Sequence, residues 1–307
     1  MITRFAPSPT GPLHLGHAYS AMLAHDIAMA AGGTFLLRIE DIDQSRARPE
    51  WEAQIYDDLR WLGLSWPEPV MRQSERTPAY ESALDQLWQT GLLYPCTCTR
   101  RDIEEAASAP QEGAPIHGPD GIVYPGTCRG RMSYERAFPE QHPRPTGNPL
   151  RLDMTLATQN SRVFDHRISQ ADGGWNWFCG YQERGNGVET DGLTEFTSDH
   201  MIDQIGDVVL SRRDMGTSYH LSVVVDDAAQ GITDVVRGAD LAEATPIHII
   251  LQKILRLPSP IYHHHRLIRD DNGKRLAKRD DARAIAKYRA EGATPNDIRR
   301  LVSLPEV

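Results

Sequence analysis

Three groups of residues in this chain could do chemistry, and their spacing says which. The first is His14-Leu15-Gly16-His17. It follows Arg4-Phe5-Ala6-Pro7-Ser8-Pro9-Thr10-Gly11-Pro12-Leu13, a short apolar start and then a turn built on three prolines and a glycine. A helix that begins here points unpaired backbone N–H groups at whatever lies above it, and such a site favours phosphates. Gly16 lets a flat group come close to the backbone. Two imidazoles three residues apart share a helical face and can both donate to phosphate oxygens. The plain alternative is a pair of surface or capping histidines.

The second group is Asn272-Gly273-Lys274-Arg275-Leu276-Ala277-Lys278-Arg279, a basic loop behind a turn signal. Alone it reads as solvated surface. The third is Cys96-x-Cys98 with Cys128, and Tyr124 four residues before it. Zinc takes four ligands in a tetrahedron. The segment Tyr94 to Arg131 is rich in Pro, Gly and Cys and has little periodicity, which suits a metal site standing in for a core. On chemistry alone the fourth ligand stays open between Tyr124, His117 and water. Cys179 reads as a free thiol.

The elements that must position these groups are an alternation of strands and helices. Ile2–Ala6 reads as a strand, Leu15–Ala31 as a helix and Thr34–Ile39 as a parallel strand. Amphipathic helices follow from Pro49 to about Gly63 and from Pro78 to Thr90. Arg151–Thr158 has the composition of a strand, and Gln159–Asp214 is poorly patterned. Leu221–Val225, a β-branched run ended by Asp226-Asp227, reads as a strand buried on both faces. Ile232–Arg237 and Ile261–His264 read as strands on either side of a helix opened by Thr245-Pro246. Two helices, about Asp281–Glu291 and Thr294–Ser303, end the pattern. The fold class is α/β with a parallel sheet.

The chain has 307 residues, 40% hydrophobic and 24% charged, enough for one large domain or two ordinary ones. Its net charge of −9 argues against a protein that coats nucleic acid unspecifically, though not against a local basic groove, and Arg266–Arg300 is the basic part. Met1–Arg4 runs straight into the first strand without a signal-peptide pattern, and no apolar run approaches the roughly 20 residues of a membrane helix. A cytoplasmic location is expected. There, four cysteines suit a metal site better than disulfides.

Together, His14–His17 and Arg275–Arg279 resemble the two signatures of class I aminoacyl-tRNA synthetases, with arginine in place of the first lysine of the second signature and Ala277 in place of its serine. Arg4–Gly11, Leu37–Asp43 and Val236–Leu241 resemble the glutamyl-tRNA synthetase subgroup more narrowly. The resemblance implies a Rossmann-like catalytic domain in two halves, 1–93 and 219–265. Between them it implies a zinc-binding insertion at 94–131 and a connecting insertion at 132–218, with the second signature and C-terminal helices at 266–307. It implies ATP binding at His14, Gly16, His17 and Lys278, with His14, His17 and Lys278 catalytic and Mg²⁺ carried by ATP. It implies L-glutamate binding at Arg4, Phe5, Ala6, Pro7, Ser8, Glu40, Tyr219 and Arg237, where cations meet carboxylates and Glu40 meets the α-ammonium.

Tyr-x-x-x-Cys after Cys-x-Cys resembles the glutamyl-Q tRNA(Asp) synthetases, and implies zinc on Cys96, Cys98, Tyr124 and Cys128. These are relatives without the helical anticodon-binding domain, which this chain is also expected to lack. The resemblance implies glutamate activation by ATP and transfer to queuosine in the anticodon stem-loop of tRNA(Asp), by a monomer. Two other readings are a conventional or split glutamyl-tRNA synthetase acting on tRNA(Glu), and a non-catalytic RNA-binding module. The complete ATP and glutamate residues argue against the last.

Overall fold

A computed structural model of the protein describes residues 1–107, 117–160, 163–164, 166–169, 175–187, 192–269 and 283–306. The opening unit is β1 (Ile2–Phe5), α1 (Leu15–Ala30) and β2 (Thr34–Ile39), with β1 and β2 parallel and Arg4 opposite Leu36. After α2 (Pro49–Trp61), β3 (Met71–Arg72) adds a third parallel strand beside β2. The chain continues through α3 (Thr77–Gln89), β4 (Leu93–Pro95) and α4 (Arg100–Ala107) to a hairpin of β5 (His117–Gly118) and β6 (Gly121–Ile122). Then come α5 (Ser133–Ala137), β7 (Leu150–Leu152) and α6 (Met154–Thr158). An antiparallel meander follows, β8 (His166–Ser169), β9 (Trp175–Glu183) and β10 (Gly192–Thr197). After α7 (Ser198–His200), β11 (Val209–Ser211) pairs with β7, which also pairs with β4.

The second half is α8 (Tyr219–Ala229), β12 (Asp234–Gly238), α9 (Thr245–Leu255) and β13 (Ile261–His265). β12 and β13 are parallel, and β9 joins the far side of β13. The two parallel sheets meet at β1 and β12. The Thr233 N–H donates to the Ile2 carbonyl at 3.0 Å, and the Ile2 N–H donates to Thr233 Oγ1 at 2.7 Å. From that seam the strand order runs one way through β2 and the other through β13. In such sheets ligands bind beyond the carboxyl ends of the strands where the order reverses. Arg4, Glu40, Arg237 and His264 all sit at those ends. α10 (Ile285–Ala290) and α11 (Pro295–Leu301) close the chain, and α11 packs on α1. Among the described residues no helix is long and apolar enough to cross a membrane.

Two apolar clusters hold this frame. One gathers Leu13, Met22, Phe35, Ile39 and Leu59 around the first half, the other Leu84, Trp88, Val224, Ile250 and Tyr262 around the second. The run Leu221–Val225 is helical, not a strand. Its β-branched residues favour a strand only while their surroundings are left out. α8 lies between α3 and α9, so apolar side chains all round a helix are what burial there requires. Ser218 Oγ caps it from the Leu221 N–H. Arg151–Thr158 is likewise only partly extended. The strand stops at Leu152, because Asp153 accepts the Leu156 N–H and starts α6.

Candidate active site

At the seam lies a cavity of about 510 Å³, and its wall brings together Arg4, Phe5, Ala6, His14, Gly16, His17, Glu40, Tyr219 and Arg237. These come from four distant segments, and every one is a residue the sequence singled out. Pro7 and Ser8 do not line it. The Pro7 carbonyl instead accepts the Glu40 N–H at 3.0 Å, so this turn positions Glu40. Lys278, with the rest of Arg275–Arg279, lies outside the described residues.

His14 is the N-cap of α1, in extended backbone, and not a member of its first turn. Its Nδ1 accepts the Gly16 N–H at 3.1 Å, and His17 Nδ1 accepts the His14 N–H at 3.1 Å. The two rings lie 3.8 Å apart. This reciprocal cap consumes backbone donors that the sequence reading assigned to an anion. It also fixes chemistry: an imidazole whose Nδ1 accepts must, when neutral, carry its proton on Nε2. When neutral, each ring thus carries an Nε2–H, and the backbone contacts at Nδ1 fix both rings. Gly16 serves the cap directly, since a Cβ there would meet His14 Cε1 at 3.0 Å.

Two sets of charges at the cavity stand out, besides Asp240 on its wall. Arg4 is bidentate to Asp227, Nε to Oδ1 at 2.9 Å and Nη2 to Oδ2 at 3.2 Å. Arg38 also donates to Asp227, at 2.6 Å, and to Glu40 at 3.0 Å. Two guanidinium groups and two carboxylates balance there. Burial works against ionised Asp227, but Arg4 and Arg38 hold its carboxyl below the usual range. Burial pushes the Glu40 carboxyl up against the pull of Arg38. Arg237 forms the other set. It is buried, and among the described residues its acceptors are neutral groups: His264 Nε2 and His248 Nδ1 at 3.1 Å each, Thr245 Oγ1 at 2.8 Å and the Leu241 carbonyl at 3.2 Å. A desolvated cation without a direct counter-ion is costly unless a ligand supplies one. Among the described residues, Arg237 has no carboxylate in direct hydrogen-bond contact, although Asp240 lines the same cavity.

Away from this cavity, the sulfurs of Cys96, Cys98 and Cys128 lie within 4.8 Å of one another. The Tyr124 hydroxyl is 3.6 Å from Cys96 Sγ and 3.4 Å from Cys98 Sγ, and Cys98 Sγ is 3.5 Å from Cys128 Sγ. Zinc–sulfur bonds of about 2.3 Å and zinc–oxygen bonds of about 2.0 Å in a tetrahedron give edges of roughly 3.8 Å and 3.5 Å. These three separations match those edges to within a few tenths of an ångström. Burial alone would raise the Cys128 thiol, but hydrogen bonds from Tyr124 and the Thr97 backbone outweigh it and lower it to about 6. Packed around the cluster are Tyr94 and Ile103, a core too small to stand without a staple.

Several residues of the site escaped sequence reading. Asp227 ends a run with strand composition, so the pattern makes it a strand terminator and not a partner of Arg4. Arg38 in β2 is two residues from Glu40, just past the strand end, a spacing that puts both on one side of an extended chain and was a signal there to use. Glu183 came from the poorly patterned segment. It accepts from the His264 backbone at 2.9 Å and from His264 Nδ1 at 2.5 Å. Gly185 and Gly187 lie in the same segment. A Cβ on either would lie 2.1–2.2 Å from backbone atoms of His264 or His265. Only glycine lets the chain pass so close to β13.

Comparison with known proteins shows the family of the chain. The family described as tRNA synthetases class I (E and Q), catalytic domain, matches residues 1–121 and 184–305. A glutamyl-Q tRNA(Asp) synthetase of Rhodobacter capsulatus is 62% identical over 99% of this chain and 100% of its own length. One from Nocardia farcinica is 40% identical over 98% of this chain and 83% of its own. Among solved structures, a glutamate tRNA ligase from Elizabethkingia meningosepticum shares the fold, with a TM-score of 0.67 and 24% identity over 96% of this chain. The present chain spans 58% of that one. By sequence this chain belongs to the glutamyl-Q tRNA(Asp) synthetase family, within the class I tRNA synthetases of the E and Q type.

Proposed function

We propose that this chain joins L-glutamate to AMP at the expense of ATP and passes the glutamyl group to queuosine in the anticodon loop of tRNA(Asp). The observation that carries the amino-acid choice is Arg237, a buried cation with neutral acceptors, facing Glu40 across one cavity. Glutamate supplies what such a cavity lacks: a side-chain carboxylate for Arg237 and an α-ammonium for Glu40. Arg4, already bidentate to Asp227, adds only the N–H groups that this pair leaves on Nη1 and Nη2. Tyr219 completes the contact surface. The relatives' name supports the RNA acceptor.

In this reading the α-carboxylate of glutamate attacks the α-phosphorus of ATP, and pyrophosphate leaves. Charge builds on phosphoryl oxygens and on the leaving group, and fixed donors there lower the barrier. The Nε2–H groups of His14 and His17 are two such donors, with Lys278 and the Mg²⁺ that ATP carries as the others. Lys278 belongs to a segment whose flanks touch the cavity: Ile268 lines it, and Ala284 pairs with His14. Cys96, Cys98, Tyr124 and Cys128 would hold one zinc ion, whose role is structural. A cytoplasmic setting supplies ATP and tRNA. Glutamate-dependent exchange between ATP and labelled pyrophosphate, run with and without tRNA, tests the activation step. Exchange driven by glutamate is expected, and its absence in both conditions would refute the reading.

A further inference from the structure

Arg237 does have counter-ions, but imidazoles stand between. Nη1 of Arg237 donates to His248 Nδ1 at 3.1 Å. His248 Nε2 lies 3.1 Å from His220 Nδ1, and His220 Nε2 lies 2.9 and 3.0 Å from the two oxygens of Asp120. On the other side Nε donates to His264 Nε2, and His264 Nδ1 faces Glu183. An arginine is always protonated, so it sets the direction of both chains. His248 Nδ1 must accept, so its Nε2 carries the proton and donates. His220 Nδ1 must then accept, and its Nε2–H donates to Asp120. A doubly protonated His220 would set two N–H groups against each other. On the second branch His264 carries its proton on Nδ1. Burial and the Arg237 charge hold His248 well below its usual range, so it stays neutral and able to accept.

We propose that His248 and His220 are positioning residues, anchored by Asp120, that aim Arg237 at the side-chain carboxylate of glutamate without cancelling its charge, and so set the preference for glutamate over glutamine. This rests on the assignment of Arg237 to glutamate. A carboxylate bound directly to Arg237 would orient it equally well, but the cavity would then present an ion pair to the ligand. Two neutral rings keep the orientation and displace the negative charge. The anchor sits in the tight turn between β5 and β6, in the same insertion as the cysteine cluster. That hairpin is held close: a Cβ on Gly118 would lie 2.6 Å from the Gln204 carbonyl oxygen. The chain thus ties the cysteine-bearing insertion to the amino-acid pocket.

The test is pyrophosphate exchange by the full chain, reading KM for glutamate, kcat, KM for ATP and the ratio of glutamate to glutamine use. Asp120 is half-exposed and does not line the cavity, so a merely structural role predicts no change in glutamate KM. The relay predicts that Asp120→Ala raises it about 3- to 10-fold, the value of one hydrogen bond, with kcat and ATP KM within two-fold. Asp120→Asn, which keeps an acceptor oxygen, recovers most of that loss. His248→Leu, which strips a charged donor of its acceptor, raises glutamate KM about 10- to 100-fold and lowers the preference over glutamine. Arg237→Lys separates the two claims. If it leaves glutamate KM unchanged, the assignment of Arg237 itself is wrong. If it raises KM while Asp120→Ala matches the parent, the relay alone is overturned. Imidazole ¹⁵N spectra of the unmutated protein at pH 7 need no variant to fold. They are expected to show His248 and His220 protonated on Nε2 only and His264 on Nδ1, and any other pattern overturns the proposal.

Discussion

Asp227→Asn probes the charge balance beneath the amino-acid pocket. The side chain keeps its size and loses its charge. In the parent, Asp227 is 9% exposed and takes hydrogen bonds from both Arg4 and Arg38, while the Arg38 side chain is fully buried. The substitution leaves two buried guanidinium groups with Glu40 as the carboxylate Arg38 still pairs with directly and Asp226 nearby. Breaking a buried pair by removing one partner costs about 3–5 kcal/mol. For a chain of this length that is a fall in Tm of about 5–8 °C. The acid limb carries a signature. The Asp227 carboxyl is depressed in the fold, so its contribution is whole above the ordinary aspartate range and is lost as pH falls through the folded value. The gap between parent and variant should therefore be full at pH 7 and narrow below about pH 4. Thermal unfolding from pH 3 to 8 reads both. A variant within 1 °C of the parent at pH 7, or a gap that widens on acidification, refutes the balance described here.

Three further outcomes are expected. Lys278→Ala should slow glutamate activation roughly 10²- to 10³-fold, the cost of one donor to developing charge, with glutamate binding little changed; activity within a few-fold removes Lys278 from the mechanism. Purified protein should hold about one zinc per chain on three sulfurs, and Cys98→Ala should lose it while the amino-acid pocket survives; an equally active protein with no zinc and all three thiols titratable excludes the metal. Gly185→Ala must push the chain off β13, where its Cβ would lie 2.1 Å from the His264 carbonyl oxygen, so it should destabilise the protein and weaken glutamate binding through Glu183 and His264; a parent-like glutamate KM would show that this contact does not reach the pocket.

What the sequence disclosed and what it withheld divide along physical lines. Residues that act in a local frame were legible. The turn into α1, the strand ends bearing Arg4 and Arg237 and the Cys-x-Cys…Tyr-x-x-x-Cys spacing can be read from neighbours alone. Residues defined by what packs against them were not. Leu221–Val225 has strand composition, and only its place between α3 and α9 makes it a helix. With it went Asp227, whose partners are 189 and 223 positions away. The two imidazoles of His14 and His17 were read as neighbours on a helix. Their true relation is a reciprocal cap, which leaves the same rings together but moves the donors from backbone to Nε2. His220, His248 and His264 belong to separate elements, and no spacing rule joins them to one arginine.

The central claim concerns where glutamate goes, and labelled glutamate offered to three RNAs tests it most directly. These are tRNA(Asp) carrying queuosine, the same tRNA with unmodified guanosine, and tRNA(Glu). An anticodon loop presents bases that can be splayed out and read locally, and queuosine adds a diol able to accept the glutamyl group. Transfer should be efficient to the first RNA and marginal to the other two. Equal labelling of the modified and unmodified tRNA(Asp), or efficient labelling of tRNA(Glu), would contradict the account.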